Sequence, residues 1–293
     1  MEVVQYAFSA PTLLKGDYSI INNDLEIHQK REPLGVTTGI MPFNFPAMIP
    51  LLMIPLAVVT GNTIIIKTSE KCPSTPLFLA HGATCAGLPD GVVNVIHGNK
   101  DISTDLISHA DVDAVSFVGS TTVGKQIYET ASHHGKRTQI NMGAKNHAIV
   151  MPSCNYHDTV NSIISAFVMG QRCMAISVLV VVDGADDIIQ PLLASLSQID
   201  PVNDMGPLIT PEAKQSVIQA LESSVASGAE IIYGDYKKTL NNDKGNYLEP
   251  IVVDKVTPDM SVYRQELFAP VLSIVRVPDL ESGIEFVNTN EYG

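Results

Sequence analysis

Apolar runs of strand length recur along the first half of the chain, each followed by a longer stretch with helical spacing. "GVTTGIM" (35–41) reads as a buried strand, and "PFNFPAMIPLLMIPLAVVT" (42–60) as a loop and helix. "NTIIIKT" (62–68) is a second strand, and "PSTPLFLAHGATCAGL" (73–88) a helix opened by prolines and closed by Gly87. The pattern continues with strand "GVVNVIHG" (91–98), helix "KDISTDLISHA" (100–110), strand "VDAVSFVGS" (112–120) and helix "TTVGKQIYETASHHG" (121–135). "RTQINMG" (137–143) and "NHAIVMP" (146–152) are further strands. Continuous apolar strands alternating with helices predict β-α-β units, hence an α/β fold with a mainly parallel sheet covered on both faces.

The second half keeps the style with other spacings. "YHDTVNSIISAFVMGQRCM" (156–174) is a helix running into a loop, and "ISVLVVVDG" (176–184) a buried strand. Helices are expected over 185–199 and 210–229, and strands over 230–234, 247–256 and 269–277. A domain boundary is placed near Val150–Pro152, dividing the chain into 1–150 and 151–293. "DYSIINNDLEIHQKREP" (17–33) fits neither half. It reads as a two-strand arm, either an ordinary exposed hairpin or an edge that pairs with another subunit.

Composition narrows the classes. Of 293 residues, 45% are hydrophobic and 17% charged, which is globular rather than disordered. The net charge of −13 argues against nucleic acid or an anionic membrane as main partner. The cysteines, Cys72, Cys85, Cys154 and Cys173, have no Cys-x-x-Cys spacing, so neither a metal site nor a disulfide framework is expected. Pro50, Pro55 and the polar turn at 60–63 break the apolar stretch at 46–67, which excludes it as a membrane span. The first residues match neither a signal peptide nor a transit peptide.

Several stretches could carry chemistry. Gly119 and Ser120 open a helix after a strand, where free N–H groups favour a phosphate, although taken alone the stretch reads better as an ordinary N-cap. Lys67 and Glu70 lie at a strand end, either as ribose-binding groups or as a solvated loop. Asn44 sits in "MPFNFP", one amide in a rigid apolar frame, suited to an oxyanion. Glu266 in "QELFAPV" reads alone as a strand-start charge. Cys173 is a buried thiol or, given Gln171, Arg172 and a loop position, an activated one.

Taken together, "PFNFP", "KTSE", "GLPDGVVNVIHG", "SFVGST", "MGAKNH", "GQRC", "MGPLITPEAK", "YLEPIVV" and "QELFAPV" stand in the order found in aldehyde dehydrogenases. The resemblance runs along nearly the whole chain. Within the family, "PFNFPAMIP", "NMGAKNH" and "GQRCMA" resemble the CoA-acylating methylmalonate-semialdehyde dehydrogenases. The resemblance implies a Rossmann-type NAD-binding domain followed by a catalytic domain. It makes Cys173 the nucleophile and Asn44 the oxyanion donor. It assigns NAD to Met41, Phe43, Lys67, Glu70, Lys71, Gly119, Ser120, Met142 and Glu266. Arg172 becomes a partner for the carboxylate of a malonate or methylmalonate semialdehyde, or else a structural salt bridge. It also implies a homo-oligomer and, in a eukaryote, a mitochondrial location, otherwise a cytoplasmic one.

One departure is chemical. Most of the family has Glu where this chain has Asn141, and that Glu activates water to hydrolyse the thioester. An amide cannot be a base at neutral pH, so Asn141 favours thiolysis by CoA. Other departures concern integrity. Measured against the family the chain is partial at both ends. "SAFVMGQRC" is also about two residues shorter than the family's approach to its Cys, more than half a helical turn. "KTSE" has Thr68 in place of the usual Pro. Three readings stay open: a CoA-acylating semialdehyde dehydrogenase, a hydrolytic aldehyde dehydrogenase, and a non-catalytic remnant that binds nucleotide or a partner.

Overall fold

The computed structural model describes residues 2–240 and 245–292. Two units are resolved, Met1–Met142 and Gly143–Gly293.

The first unit opens with short helices α1 (Glu2–Ala7) and α2 (Ala10–Leu13). Strands β1 (Tyr18–Asn22) and β2 (Leu25–His28) pair antiparallel as the expected hairpin, with every residue exposed. Five parallel strands follow: β3 (Val36–Ile40), β4 (Thr63–Lys67), β5 (Val93–Ile96), β6 (Ala114–Val118) and β7 (Arg137–Asn141). Between them run α3 (Met48–Val59), α4 (Ser74–Cys85), α5 (Lys100–Ser108) and α6 (Thr121–His133). The sheet order is β5-β4-β3-β6-β7. The chain therefore builds outward from β3 on one side and then on the other. That reversal leaves a switch point at the carboxyl ends of β3 and β6, where open α/β sheets bind ligands.

Burial explains the strand composition. Ile64 and Ile66 of β4 and Val115 and Phe117 of β6 are buried, and helices pack on the apolar clusters they form. The α3 helix runs unbroken through Pro55. Its C-terminal end is stapled to the chain entering β3 by Asn62, whose Oδ1 accepts from Leu34 N (2.7 Å) and Gly35 N (3.0 Å), while Nδ2 donates to Ala57 O.

The second unit holds β8 (Asn146–Val150), α7 (Tyr156–Phe167), β9 (Ile176–Val182), a 3-10 turn at Asp186–Ile188, α8 (Ile189–Leu196) and α9 (Pro211–Ala226). Then come β10 (Glu230–Tyr233), β11 (Ile251–Asp254), α10 (Ser261–Arg264), β12 (Val271–Val277) and α11 (Leu280–Asn288). The order is β10-β11-β12-β9-β8, parallel except for β10. Since β8 is bonded to β9, the division falls between Met142 and Gly143, one strand earlier than the expected boundary near Val150–Pro152. The sequence pattern could not show this, because β7 and β8 are both short strands with only a brief connection.

The strand expected over 247–256 is limited to Ile251–Asp254, with Pro250 before it. The helix expected from 156 ends at Phe167 and runs into a loop. Within 42–60 the helix begins at Met48. Among the described residues, no helix is long and apolar enough to cross a membrane.

Candidate active site

The amphipathic helix α7 buries Val160, Ile163 and Phe167 and ends at Phe167, with Val168 buried in the same core. The chain then turns sharply through Gly170, at φ +63. A Cβ there would lie 2.2 Å from Ala269 C and 2.3 Å from Pro270 N, so only glycine fits. The shortened approach to Cys173 runs through this glycine turn.

Side chains then pin the turn. Gln171 Nε2 donates to Pro207 O (2.9 Å), and its Oε1 accepts from Ile209 N (2.9 Å). Asn146 Nδ2, at the start of β8, donates to Cys173 O (2.7 Å) and Ala175 O (2.9 Å). Arg172 folds back, with Nη2 donating to Ser165 O (2.6 Å). Its partner is a backbone carbonyl, not the carboxylate of a salt bridge. The Arg172 Nε is buried and has no hydrogen-bond partner among the described residues, a group that needs an acceptor.

Cys173, Arg172 and Glu266 line one small cleft, with Lys145, Ser177 and Phe268. Glu266 lies on the opposite wall, in the segment between α10 and β12. Its Oε1 accepts from Ala144 N (3.1 Å). Burial raises the Glu266 carboxyl above the ordinary range, opposed by the Ala144 N–H and the Lys145 charge. Two residues on, Phe268 holds φ +52. For a bulky side chain that conformation costs roughly 1–3 kcal/mol, and such strain collects at functional sites.

Lys145 stands in the quoted "MGAKNH" but draws no notice in the sequence, because a lysine reads as a surface residue. It is 4% exposed, and Nζ donates to Val262 O (2.6 Å) and Gln265 O (2.7 Å). Burial pushes its pKa down to about 8, against the pull of Glu266. The folded chain therefore holds fewer protons than the unfolded chain between about pH 8 and pH 10.5. Stability contributed by this group rises across that window and is lowest below it. In urea titrations at pH 7.5 and 10, the unmodified chain should gain up to about 3 kcal/mol relative to Lys145→Met, at ~1.4 kcal/mol per pH unit. Equal pH dependence in the two proteins would show that Lys145 does not carry the effect.

The remaining expected residues belong to the first unit. Met41 is buried just after β3, and Phe43 and Asn44 are half-buried in the following loop. No hydrogen bond engages the Asn44 side chain among the described residues. Lys67 ends β4 and pairs with Glu70 at 2.7 Å. Burial pushes the Glu70 carboxyl up, but the Lys67 hydrogen bond and the charges of Lys67 and Lys71 together take it below the ordinary range. Lys71 is exposed. Thr68 is fully buried and bonded to His97 Nδ1 (2.7 Å), and its N–H donates to Ile96 O (3.2 Å). A proline could make neither bond, so this departure from the family pattern has a local structural use.

Gly119 follows β6, where its N–H donates to Asn141 O (3.1 Å). Ser120 is the exposed N-cap of α6, and its hydroxyl makes no capping bond. Met142 packs over Gly124 of α6 and is 40% exposed. Asn141 ends β7 and is exposed. Sheet topology thus gathers Met41, Lys67, Glu70, Gly119 and Ser120 at the carboxyl edge of one parallel sheet. Among the described residues, no group of His, Cys, Asp and Glu could hold a metal.

Residues 1–293 match the aldehyde dehydrogenase family as a whole. The chain is 41% identical over 303 residues to the acylating, mitochondrial methylmalonate-semialdehyde/malonate-semialdehyde dehydrogenase of Homo sapiens. It is 42% identical over 307 residues to the malonate-semialdehyde dehydrogenase of Pseudomonas aeruginosa. All of the chain aligns, but it spans only 57% and 61% of those proteins. Among solved structures, a methylmalonate-semialdehyde dehydrogenase from Oceanimonas doudoroffii superposes with a TM-score of 0.95 at 41% identity. A Sinorhizobium meliloti chain assigned to the same activity, and solved in complex with NAD, gives 0.95 at 38%. The chain covers 62% of each.

Proposed function

The chain belongs to the aldehyde dehydrogenase family, and on that premise we propose that it serves the NAD-dependent oxidation of malonate or methylmalonate semialdehyde to an acyl-CoA. The observation that carries this reading is one cleft lined by Cys173, Arg172 and Glu266. The first unit is the nucleotide-binding domain and the second the catalytic one.

The donor and acceptor set of the first unit fits a dinucleotide. A helix N-terminus with an uncapped, exposed Ser120 suits a pyrophosphate. The ionised Glu70 suits ribose hydroxyls, with Lys67 fixing its position and Lys71 beside it. Met41, Phe43, Gly119 and Met142 supply the apolar and backbone contacts, and Glu266 the carboxylate for the second ribose. NAD, when bound, accepts the hydride that leaves the substrate carbon.

The chain's own residues do the rest. The Cys173 thiolate attacks the aldehyde carbon and forms a thiohemiacetal. The Cys173 N–H donates to the oxyanion, and family membership assigns Asn44 to the same role. Arg172 lines the same cleft, where its guanidinium can pair with the substrate carboxylate and orient the substrate. After oxidation the acyl group is held as a thioester on Cys173. Asn141, an amide, cannot draw a proton from water, so the thiol of CoA attacks the thioester carbonyl. The Cys173 thiolate is then expelled and regenerated.

The test is NADH formation from malonate semialdehyde with and without CoA. Turnover that requires CoA supports the reading, and turnover without CoA rejects it in favour of hydrolysis. NAD binding without turnover in either case leaves a non-catalytic binder. A second prediction isolates Asn141: Asn141→Glu should release part of the turnover from its need for CoA. The exposed hairpin, with Ile20 65% and Ile27 49% exposed, supports assembly into an oligomer. In a eukaryotic cell this reading places the chain in the mitochondrion, and in a bacterium in the cytoplasm.

A further inference from the structure

Three consecutive residues reach both walls of the cleft. The Ala144 N–H holds the Glu266 carboxylate (3.1 Å), and Lys145 holds the carbonyls of Val262 and Gln265. Asn146 holds the other wall through the carbonyls of Cys173 and Ala175. The β8–β9 ladder is irregular at this point. Asn146 pairs with Ile176, but His147 pairs with Val178, so one extra residue, Ser177, is accommodated in β9. Ser177 Oγ turns back to Asn146 O (3.4 Å). A bulge re-aims the strand that follows the turn. Here it places the Asn146 amide under the turn that carries Cys173.

The bonds are also directional. Both acceptors of Asn146 Nδ2 are backbone carbonyls of one short turn. With Cys173 O and Ala175 O both held, the peptide units that follow Cys173 and Ala175 cannot rotate freely. The unit before Cys173 is tied to the same turn, since Arg172 O accepts from Ala175 N (3.0 Å). Holding the turn therefore keeps the direction of the Cys173 Cα–Cβ bond and, through that second bond, of its N–H. Met174, between the two held carbonyls, is 81% exposed, so packing contributes little to fixing this turn. Hydrogen bonds therefore set its conformation.

We infer that Asn146 is the positioning residue of this site: its side-chain amide, seated at the β8–β9 bulge, fixes the orientation of the Cys173 thiol and N–H. This rests on the reading of Cys173 as the nucleophile. Asn146 also lines the cleft, and the role inferred for it is exerted through the turn.

Asn146→Asp keeps the shape but sets a carboxylate against two carbonyls, so it should open the turn. The measurement is site-resolved alkylation by iodoacetamide, read by mass spectrometry on the whole chain. Cys154, which packs in the core of the same unit, is the internal reference. The ratio of Cys173 to Cys154 alkylation rates should rise about tenfold, as expected for hydrogen bonds lost from one turn. Where NADH formation is measured, kcat should fall about a hundredfold with KM for the aldehyde little changed. Asn146→Ala, which removes the donors without adding charge, should shift both quantities the same way and replaces the aspartate variant if that does not fold. General destabilisation would raise both alkylation rates and leave their ratio unchanged, and that result overturns the proposal. The nucleophile reading is checked separately, by whether alkylating Cys173 in the unmodified chain abolishes turnover. A shifted ratio with turnover surviving alkylation would leave the clamp as architecture and overturn its catalytic purpose.

Discussion

Cys173→Ser should lower CoA-dependent NADH formation by at least about 10⁴-fold, the scale seen when an enzyme loses its nucleophile. A serine hydroxyl fits the same space, so the turn held by Asn146 and Gln171 should persist. The loss follows from chemistry rather than from folding. A thiol is partly ionised near neutral pH and an alkoxide is not, and a thiolate is also the better leaving group when CoA attacks. NAD affinity, measured by calorimetry, should change little, since the expected pyrophosphate and first-ribose groups belong to the first unit. Turnover within about tenfold of the unmodified chain would reject Cys173 as nucleophile. A loss of NAD binding together with turnover would mean that the substitution acts through structure.

Gly170→Ala is expected to have the largest effect on stability. Two costs combine. Residue 170 holds φ +63, a conformation that costs a residue with a Cβ roughly 1 kcal/mol or more. The added carbon would also lie 2.2 Å from Ala269 C, a backbone atom that cannot turn aside as a side chain does. Relief requires moving either the Cys173 turn or the start of β12, which is buried in the sheet. The second unit should lose at least about 3 kcal/mol. In a unit of this size that is a fall in Tm of roughly 6–12 °C, or outright loss of the unit's fold. Gly184→Ala is the control. Gly184 has φ +84 in the same unit, but its nearest contact is Pro152 Cγ at an ordinary 3.5 Å. It should show only the conformational cost. If the two variants melt together, the contact with Ala269 does not govern the turn.

Much of the molecule was legible in the chain. The alternation of apolar strands with helices announced a parallel sheet, because strands covered on both faces need no polar alternation. Helix starts were legible where side chains mark them, as Asn99 does for α5 and Thr210 for α9, each accepting a hydrogen bond from the first turn. The short helices α1, α2 and α10 carried no comparable signal, since a single turn shows no period. Cys173, Asn44 and Glu266 could be named from ordered motifs, but motifs do not report which wall of which cleft a side chain lines. Lys145 and Asn146 stood inside a quoted motif without being singled out. Their partners lie 117 and 27 positions along the chain, and a local pattern cannot display bonds of that range.

What the sequence determined by itself was the class of fold and the family, and the roles proposed for Cys173 and Asn141 come from that family resemblance. The fold class follows from local pattern, and the family from the order of short motifs. Only the tertiary structure decided that the shortened segment before Cys173 resolves into a tight glycine turn, that Arg172 keeps a buried Nε without a protein acceptor, and that Lys145 is a buried amine. It also moved the boundary between the units to precede β8. These outcomes depend on which backbone atoms meet after the chain has folded, and hydrogen-bond satisfaction and close contact at that stage select among geometries that the linear pattern leaves equal.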